Sequence, residues 1–111
     1  MSRTILVHKY GGTSVGSTER LHAVADRLAQ CVADGHRLVV VVSAMGSTTD
    51  QLVQLAQSMR VTDVPEAFQS ASSREYDQLV ATGEIVSASL LAMAVHARGC
   101  SAVSLTGGQA G

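Results

Sequence analysis

Apolar residues along this chain follow two different rhythms. Ile5-Leu6-Val7 runs into His8-Lys9-Tyr10 and ends at Gly11-Gly12, a short β-rich stretch closed by turn formers that predicts a strand over 5–10. Leu21, Val24, Ala25, Leu28, Cys31 and Val32 then keep the 3.6-residue spacing of a helix with one buried face. Ser17 is its expected N-cap, Glu19 suits the positive end of the helix dipole, and Gly35 is the expected stop. Leu38-Val39-Val40-Val41-Val42 shows no alternation at all. Such a run predicts a strand over 37–43 buried on both faces, as in a parallel sheet covered by helices.

The second half predicts more helix. Leu52, Leu55, Ala56 and Met59 mark a helix over 50–59. Residues 60–73 hold the single proline, Pro65, and read as a connecting loop with room for a helical turn. A helix over 74–82 is expected to end at Gly83, with another over 84–97 closed by Gly99. Residues 101–106 read as a third strand, and 107–111 as a glycine-rich loop. Strand, helix, strand, helices, strand is an α/β order, which predicts a parallel sheet with right-handed crossovers. Each expected strand runs into a polar, glycine-containing loop. In a parallel sheet all three loops emerge at one edge, where open α/β folds bind ligands.

Composition narrows the class. The 111 residues suffice for one domain, and with two tyrosines, one phenylalanine and no tryptophan the core must be aliphatic. A net charge of −1 argues against binding nucleic acid or a membrane surface through bulk charge. Cys31 and Cys100 have neither metal-ligand spacing nor disulfide density, so a reducing cytoplasm is the default. No run of ~18–20 apolar residues suggests a membrane span, and Met1-Ser2-Arg3-Thr4 does not open a signal peptide.

The candidate chemistry sits in the loops. Lys9, the only lysine, stands at a strand end before Gly11-Gly12. Paired glycines allow a tight turn and close approach of backbone N–H groups to anionic oxygens, and a helix start follows. The lysine precedes the glycines, so this is not a Walker loop; alone, the pattern also fits plain turn punctuation. Ser43, Thr48 and Thr49 beside Gly46 form either a hydroxyl cradle for an anion or a loop with a Thr or Asp N-cap. Glu84 either simply suits a helix N-terminus or holds a substrate ammonium group. His8, His22, His36 and His96 share no metal-binding spacing, and His8 should face away from Lys9.

Taken together, Lys9-Tyr10-Gly11-Gly12-Thr13-Ser14-Val15-Gly16, Val41-Val42-Ser43-Ala44-Met45-Gly46 with Thr48-Thr49-Asp50, Ala81-Thr82-Gly83-Glu84 with Ser87, and Leu105-Thr106-Gly107-Gly108-Gln109-Ala110-Gly111 resemble aspartate kinase, within the amino-acid kinase superfamily. The resemblance covers nearly the whole chain. It implies an incomplete parallel-sheet α/β/α sandwich and transfer of phosphate from ATP to the β-carboxylate of L-aspartate, the entry to lysine, threonine and methionine synthesis. It assigns Lys9 to charge neutralisation as the catalytic residue and Lys9, Tyr10, Gly11 and Gly12 to the nucleotide phosphates. Ser43, Thr49 and Glu84 would bind aspartate, and magnesium would arrive with ATP.

The resemblance further implies that residues 1–111 form the N-terminal part of the kinase domain. Most of the adenine and ribose site and the regulatory ACT domains would lie outside it. Such a piece is expected to be cytoplasmic and inactive alone, and to leave room for a homo-oligomer or for pairing with the missing remainder. The alternatives are a non-catalytic aspartate-binding or interaction module and another small-acid kinase of the superfamily.

Overall fold

The computed structural model describes residues 4–59 and 63–111; the first three residues and 60–62 of the expected connecting loop lie outside them. β1 (Ile5–Tyr10) and β2 (Arg37–Val42) pair in parallel, with Ile5 opposite Arg37, Val7 opposite Val39 and Lys9 opposite Val41. The connection between them is α1 (Thr18–Ala33), a β-α-β unit as expected. Ser17 caps α1 by accepting from the Arg20 N–H at 3.2 Å. At the other end Gly35, with φ +94°, donates to Val32 O at 3.0 Å while His36 donates to Cys31 O at 3.1 Å. This pair of bonds is the Schellman closure, which favours glycine at the left-handed position.

α2 (Thr48–Ser58) begins two residues earlier than the pattern predicted, after Ser47 rather than after a Thr or Asp cap. A 3-10 turn (Glu66–Phe68) then leads into α3 (Gln69–His96), which is 28 residues long. Two expected helices are thus one. Gly83 does not end the first, because it is packed inside the continuous helix, where a Cβ would lie only 2.9 Å from the Ala44 Cβ. Glu84 is consequently an exposed mid-helix residue rather than the acid of a helix start. Helix propensity counts an interior glycine as a cost of about 1 kcal/mol, and close packing is the opposing gain. By length and composition the stretch from Glu66 to His96 could also cross a bilayer, contrary to expectation. Its Leu91, Ala94 and Val95 instead pack into the protein's own core.

That core lies on one side of the sheet. Leu21, Val24, Ala25 and Leu28 of α1 meet Leu91, Ala94 and Val95 of α3, with Tyr10 and Val15 beneath them. Leu38, Val40 and Val42 of β2 pack against this cluster. Arg98 fastens the two helices: its Nε bonds Asp26 Oδ1 at 2.6 Å, and its other nitrogens reach Ala94 O at 2.7 Å and His22 O at 3.1 Å.

The other side of the sheet is uncovered. Ile5, Val7, Val39 and Val41 are 60%, 68%, 51% and 48% exposed. β2 is therefore buried on one face only, and not on both as its unbroken valine run predicts. Residues 101–106 do not form the expected third strand either. They have no ladder partner among the described residues, and Val103 and Leu105 are exposed. The terminal glycine-rich stretch is not a plain loop but one helical turn, α4 (Gly107–Ala110), closed by a reciprocal Thr106–Gln109 capping box. The radius of gyration is 17.1 Å, against about 13 Å for a compact chain of this length. The excess comes largely from α3, whose first turns are exposed throughout.

Candidate functional site

The ends of β1 and β2 meet through their backbones. Ser43, one residue past β2, extends the parallel ladder by donating to Tyr10 O at 3.1 Å. Gly46 then donates to Gly12 O at 3.2 Å, which ties the second loop to the first. The contact is close: a Cβ on Gly12 would lie 3.1 Å from Ala44 O, and Gly46, where a Cβ would make only ordinary contact, has a left-handed φ of +42° that disfavours a side chain. Within the first loop, Ser14 and Val15 both donate to Gly11 O, and Val15 is fully buried beneath the turn. Arg20 braces the loop from α1 by donating to Thr13 O at 2.8 Å.

The two glycines expected to face phosphate therefore do different things. Gly12 is spent on the loop–loop contact. Gly11 is open, with nothing within 4 Å of where its Cβ would stand. Only at Gly11 is the backbone free for a ligand to approach at van der Waals distance.

Lys9 and Tyr10 also part company. Lys9 is exposed and shares the uncovered sheet face with Val7. Tyr10 points to the opposite face, is 7% exposed in the core, and has its hydroxyl 3.1 Å from His8 Nδ1. The imidazole thus faces away from Lys9, as strand alternation requires. Any contribution of Tyr10 to a ligand comes from its backbone.

Ser43, Thr49 and Glu84 are brought into one neighbourhood by a contact that none of them makes. Gly83 of α3 packs against Ala44 and Thr48, with prospective Cβ distances of 2.9 Å and 3.3 Å. Ser43 precedes Ala44, Thr49 follows Thr48, and Glu84 follows Gly83. Ser43 is half-buried, whereas Thr49 and Glu84 are exposed. Below them Ser87 is fully buried, its Oγ bonded to Gly83 O at 3.4 Å. Motif reading quoted Gly16, Ala44, Gly46 and Gly83 but gave roles only to the polar residues beside them, and took Gly83 for a helix stop. The packing role of these small residues leaves one trace in the sequence, the recurrence of Gly and Ala beside each polar motif.

The third loop is not gathered in. α4 packs against no other helix or strand among the described residues, so of the three loops expected to share one edge, the structure joins the first two. Among the described residues no group of three or more His, Cys, Asp or Glu side chains could hold a metal ion. The polar groups at and beside these strand ends are the Lys9 ammonium, the open backbone at Gly11, the Ser43 and Thr49 hydroxyls and the Glu84 carboxylate.

A parallel β-α-β unit with glycine loops docked at its strand ends defines an α/β protein of the kind that binds ligands at that edge. Comparison with known proteins makes the class specific. The amino acid kinase family pattern matches residues 4–111, and the chain belongs to that family. Aspartokinases are among its relatives within the family. It is 54% identical to the aspartokinase of Geobacillus stearothermophilus and 50% identical to aspartokinase 2 of Bacillus subtilis, in each case over 96% of this chain and 24% of the relative. The aspartate kinase of Synechocystis superposes with a TM-score of 0.79 at 47% identity, over 92% of this chain and 16% of the other. The chain thus spans about a quarter of the length of the curated relatives it matches.

Proposed function

We propose that the chain is the aspartate-facing, N-terminal part of an aspartokinase catalytic domain, a cytoplasmic enzyme making 4-phospho-L-aspartate from ATP and L-aspartate. The observation that carries the reading is the Gly83 contact with Ala44 and Thr48, residues that stand next in sequence to Glu84, Ser43 and Thr49 respectively. Lys9, the chain's only lysine, stands near the end of β1, whose following loop is tied to the Ser43–Thr49 segment by the Gly46–Gly12 hydrogen bond.

In the reaction a β-carboxylate oxygen attacks the γ-phosphorus and the bond from that phosphorus to the bridging oxygen breaks, releasing ADP. The carboxylate is ionised near pH 7, so no base is needed to activate it. What the protein must supply is position and charge. Glu84 offers a carboxylate to the α-ammonium of aspartate, with Ser43 and Thr49 as hydroxyl partners for its carboxylates. Lys9 neutralises the transferring phosphoryl group, and the bare Gly11 backbone lets phosphate oxygens approach. Magnesium arrives on the nucleotide. The product feeds lysine, threonine and methionine synthesis.

At a quarter of the relatives' length the chain is proposed to bind aspartate without turning over ATP. Isothermal calorimetry should show aspartate binding, and a coupled assay should show no aspartate-dependent ADP. Folded protein giving no heat above dilution would sink the reading of the site. Turnover by the chain alone, lost in Lys9→Ala, would show that nothing outside it is required.

A further inference from the structure

The turn that carries the bare Gly11 is held from two directions. Gly12 O accepts from the Gly46 N–H at 3.2 Å, which anchors the turn to the second loop. Thr13 O accepts from Arg20 Nη1 at 2.8 Å, which anchors it to α1. Among the described residues no other side chain hydrogen-bonds to residues 11–16. The point of attachment is inside the turn itself: Ser14 and Val15 donate to Gly11 O at 3.0 Å and 3.3 Å, and Thr13 lies between the two ends of that closure. Arg20 needs a reason to be where it is. A cation in the first turn of a helix stands at the positive end of the dipole, which opposes it. Nor does an ion pair hold it, since the ion pairs among the described residues are Arg74–Glu75 and Arg98–Asp26. The bond to Thr13 O is what its guanidinium does in the folded chain.

We propose that Arg20 is a positioning residue for the nucleotide phosphates. By holding Thr13 O toward α1 it keeps the 11–14 turn closed on Gly11 O, the shape in which nothing stands within 4 Å of the Gly11 Cβ position. Arg20 acts through the turn and not by contact with the nucleotide. Its bond is charge-assisted, and therefore stronger than a neutral donor would make. The inference rests on the reading of Gly11 as the place where phosphate oxygens approach, and it goes further by naming the side chain that maintains the opening. The aspartate side is held separately, by Gly83 against Ala44 and Thr48. Arg20 therefore governs the binding of ATP and leaves that of aspartate alone.

The test pairs amide hydrogen exchange on this chain with kinetics of a full-length chimera, in which residues 4–111 replace the matched stretch of Bacillus subtilis aspartokinase 2. Arg20→Met removes the donor and keeps most of the stem. It should speed exchange at the Ser14 and Val15 amides at least about fivefold and leave the urea midpoint almost unchanged, because the lost bond is offset by removing a cation from the positive end of α1. In the chimera it should raise the KM for ATP, and the calorimetric Kd for MgADP, about tenfold, the worth of one hydrogen bond, with the KM for aspartate constant. Arg20→Lys, which can still donate to Thr13 O, should recover both readouts to within about threefold. An unchanged KM and Kd overturn the proposal, as does a lysine variant no better than methionine. A raised KM for ATP with exchange at Ser14 and Val15 unaltered also overturns it, because Arg20 would then act on the nucleotide by its charge. If both KM values rise together with a lower urea midpoint, the role is merely structural and the proposal falls. Gly11→Ala separates the two levels of the argument. If it raises the KM for ATP while Arg20→Met does not, the phosphate reading stands and the inference fails; if it has no effect, both fail.

Discussion

Gly83 and Ala44 touch where a helix crosses a loop, and the space between them has no room for one more methyl. A Cβ at position 83 would stand 2.9 Å from the Ala44 Cβ, 3.3 Å from Thr48 Cγ2 and 3.5 Å from Leu52 Cδ1. Two opposed effects meet in Gly83→Ala. Helix propensity favours alanine by about 1 kcal/mol, while overpacking a tight contact costs about 1–3 kcal/mol. Because the nearest atom belongs to a methyl fixed on backbone, the clash should win, with a net loss of about 1 kcal/mol in urea unfolding. Adding Ala44→Gly should restore the stability and leave the propensity gain visible. A Gly83→Ala variant more stable than the parent would mean that the contact is loose.

The division of labour between Gly11 and Gly12 gives a second expectation. Gly12→Ala would push a Cβ to 3.1 Å from Ala44 O, so the loops must separate, at a cost of about 1–2 kcal/mol. Gly11→Ala meets open space and should leave the urea midpoint almost unchanged. In a chimera where residues 4–111 replace the matched stretch of aspartokinase 2, however, it should raise the KM for ATP. Equal destabilisation by the two alanines would remove the distinction.

Local chemistry was legible where it decided the outcome locally. Ser17 as N-cap, Gly35 as terminator and the limits of β1 could all be read from neighbours within a few residues. What was lost depended on partners distant in sequence. Gly83 looks like a stop unless Ala44 is known to lie against it, whereas Gly99, also read as a stop, is one and takes the left-handed φ of +77°. Val103 and Leu105 have the composition of a strand, but a strand needs a ladder, and composition cannot supply one. The valine run of β2 signalled a doubly buried strand, and the fold covers one side of it. The motifs marked the loops at which β1 and β2 end, whereas the contacts that the small residues make between those loops and α3 depend on partners distant in sequence.

Arg98 offers a test of how α1 and α3 are held. Its side chain is 21% exposed and that of Asp26 is 72% exposed, so the ion pair itself is worth only about 0.2–1 kcal/mol. Its bonds to Ala94 O and His22 O do not depend on Asp26. Asp26→Asn should therefore cost less than about 0.5 kcal/mol, and Arg98→Ala about 1–2 kcal/mol. High salt should narrow the first difference and spare most of the second. Equal losses from both substitutions would place the stabilisation in the ion pair instead.

Lys9 separates folding from chemistry most cleanly. It is exposed at the end of β1, opposite Val41, so Lys9→Met should change stability by less than about 0.5 kcal/mol. The methylene stem is kept and only the charge is lost. In the chimera with aspartokinase 2, loss of the cation proposed to neutralise the transferring phosphoryl group should lower kcat by about 10²–10³-fold, with the KM for aspartate nearly constant. Glu84→Gln should do the reverse, raising the KM for aspartate at least tenfold with a smaller change in kcat, because the ammonium group proposed as its partner does not react. If Lys9→Met moves KM alone, the lysine is a binding group and the phosphoryl charge must be met by residues outside this chain.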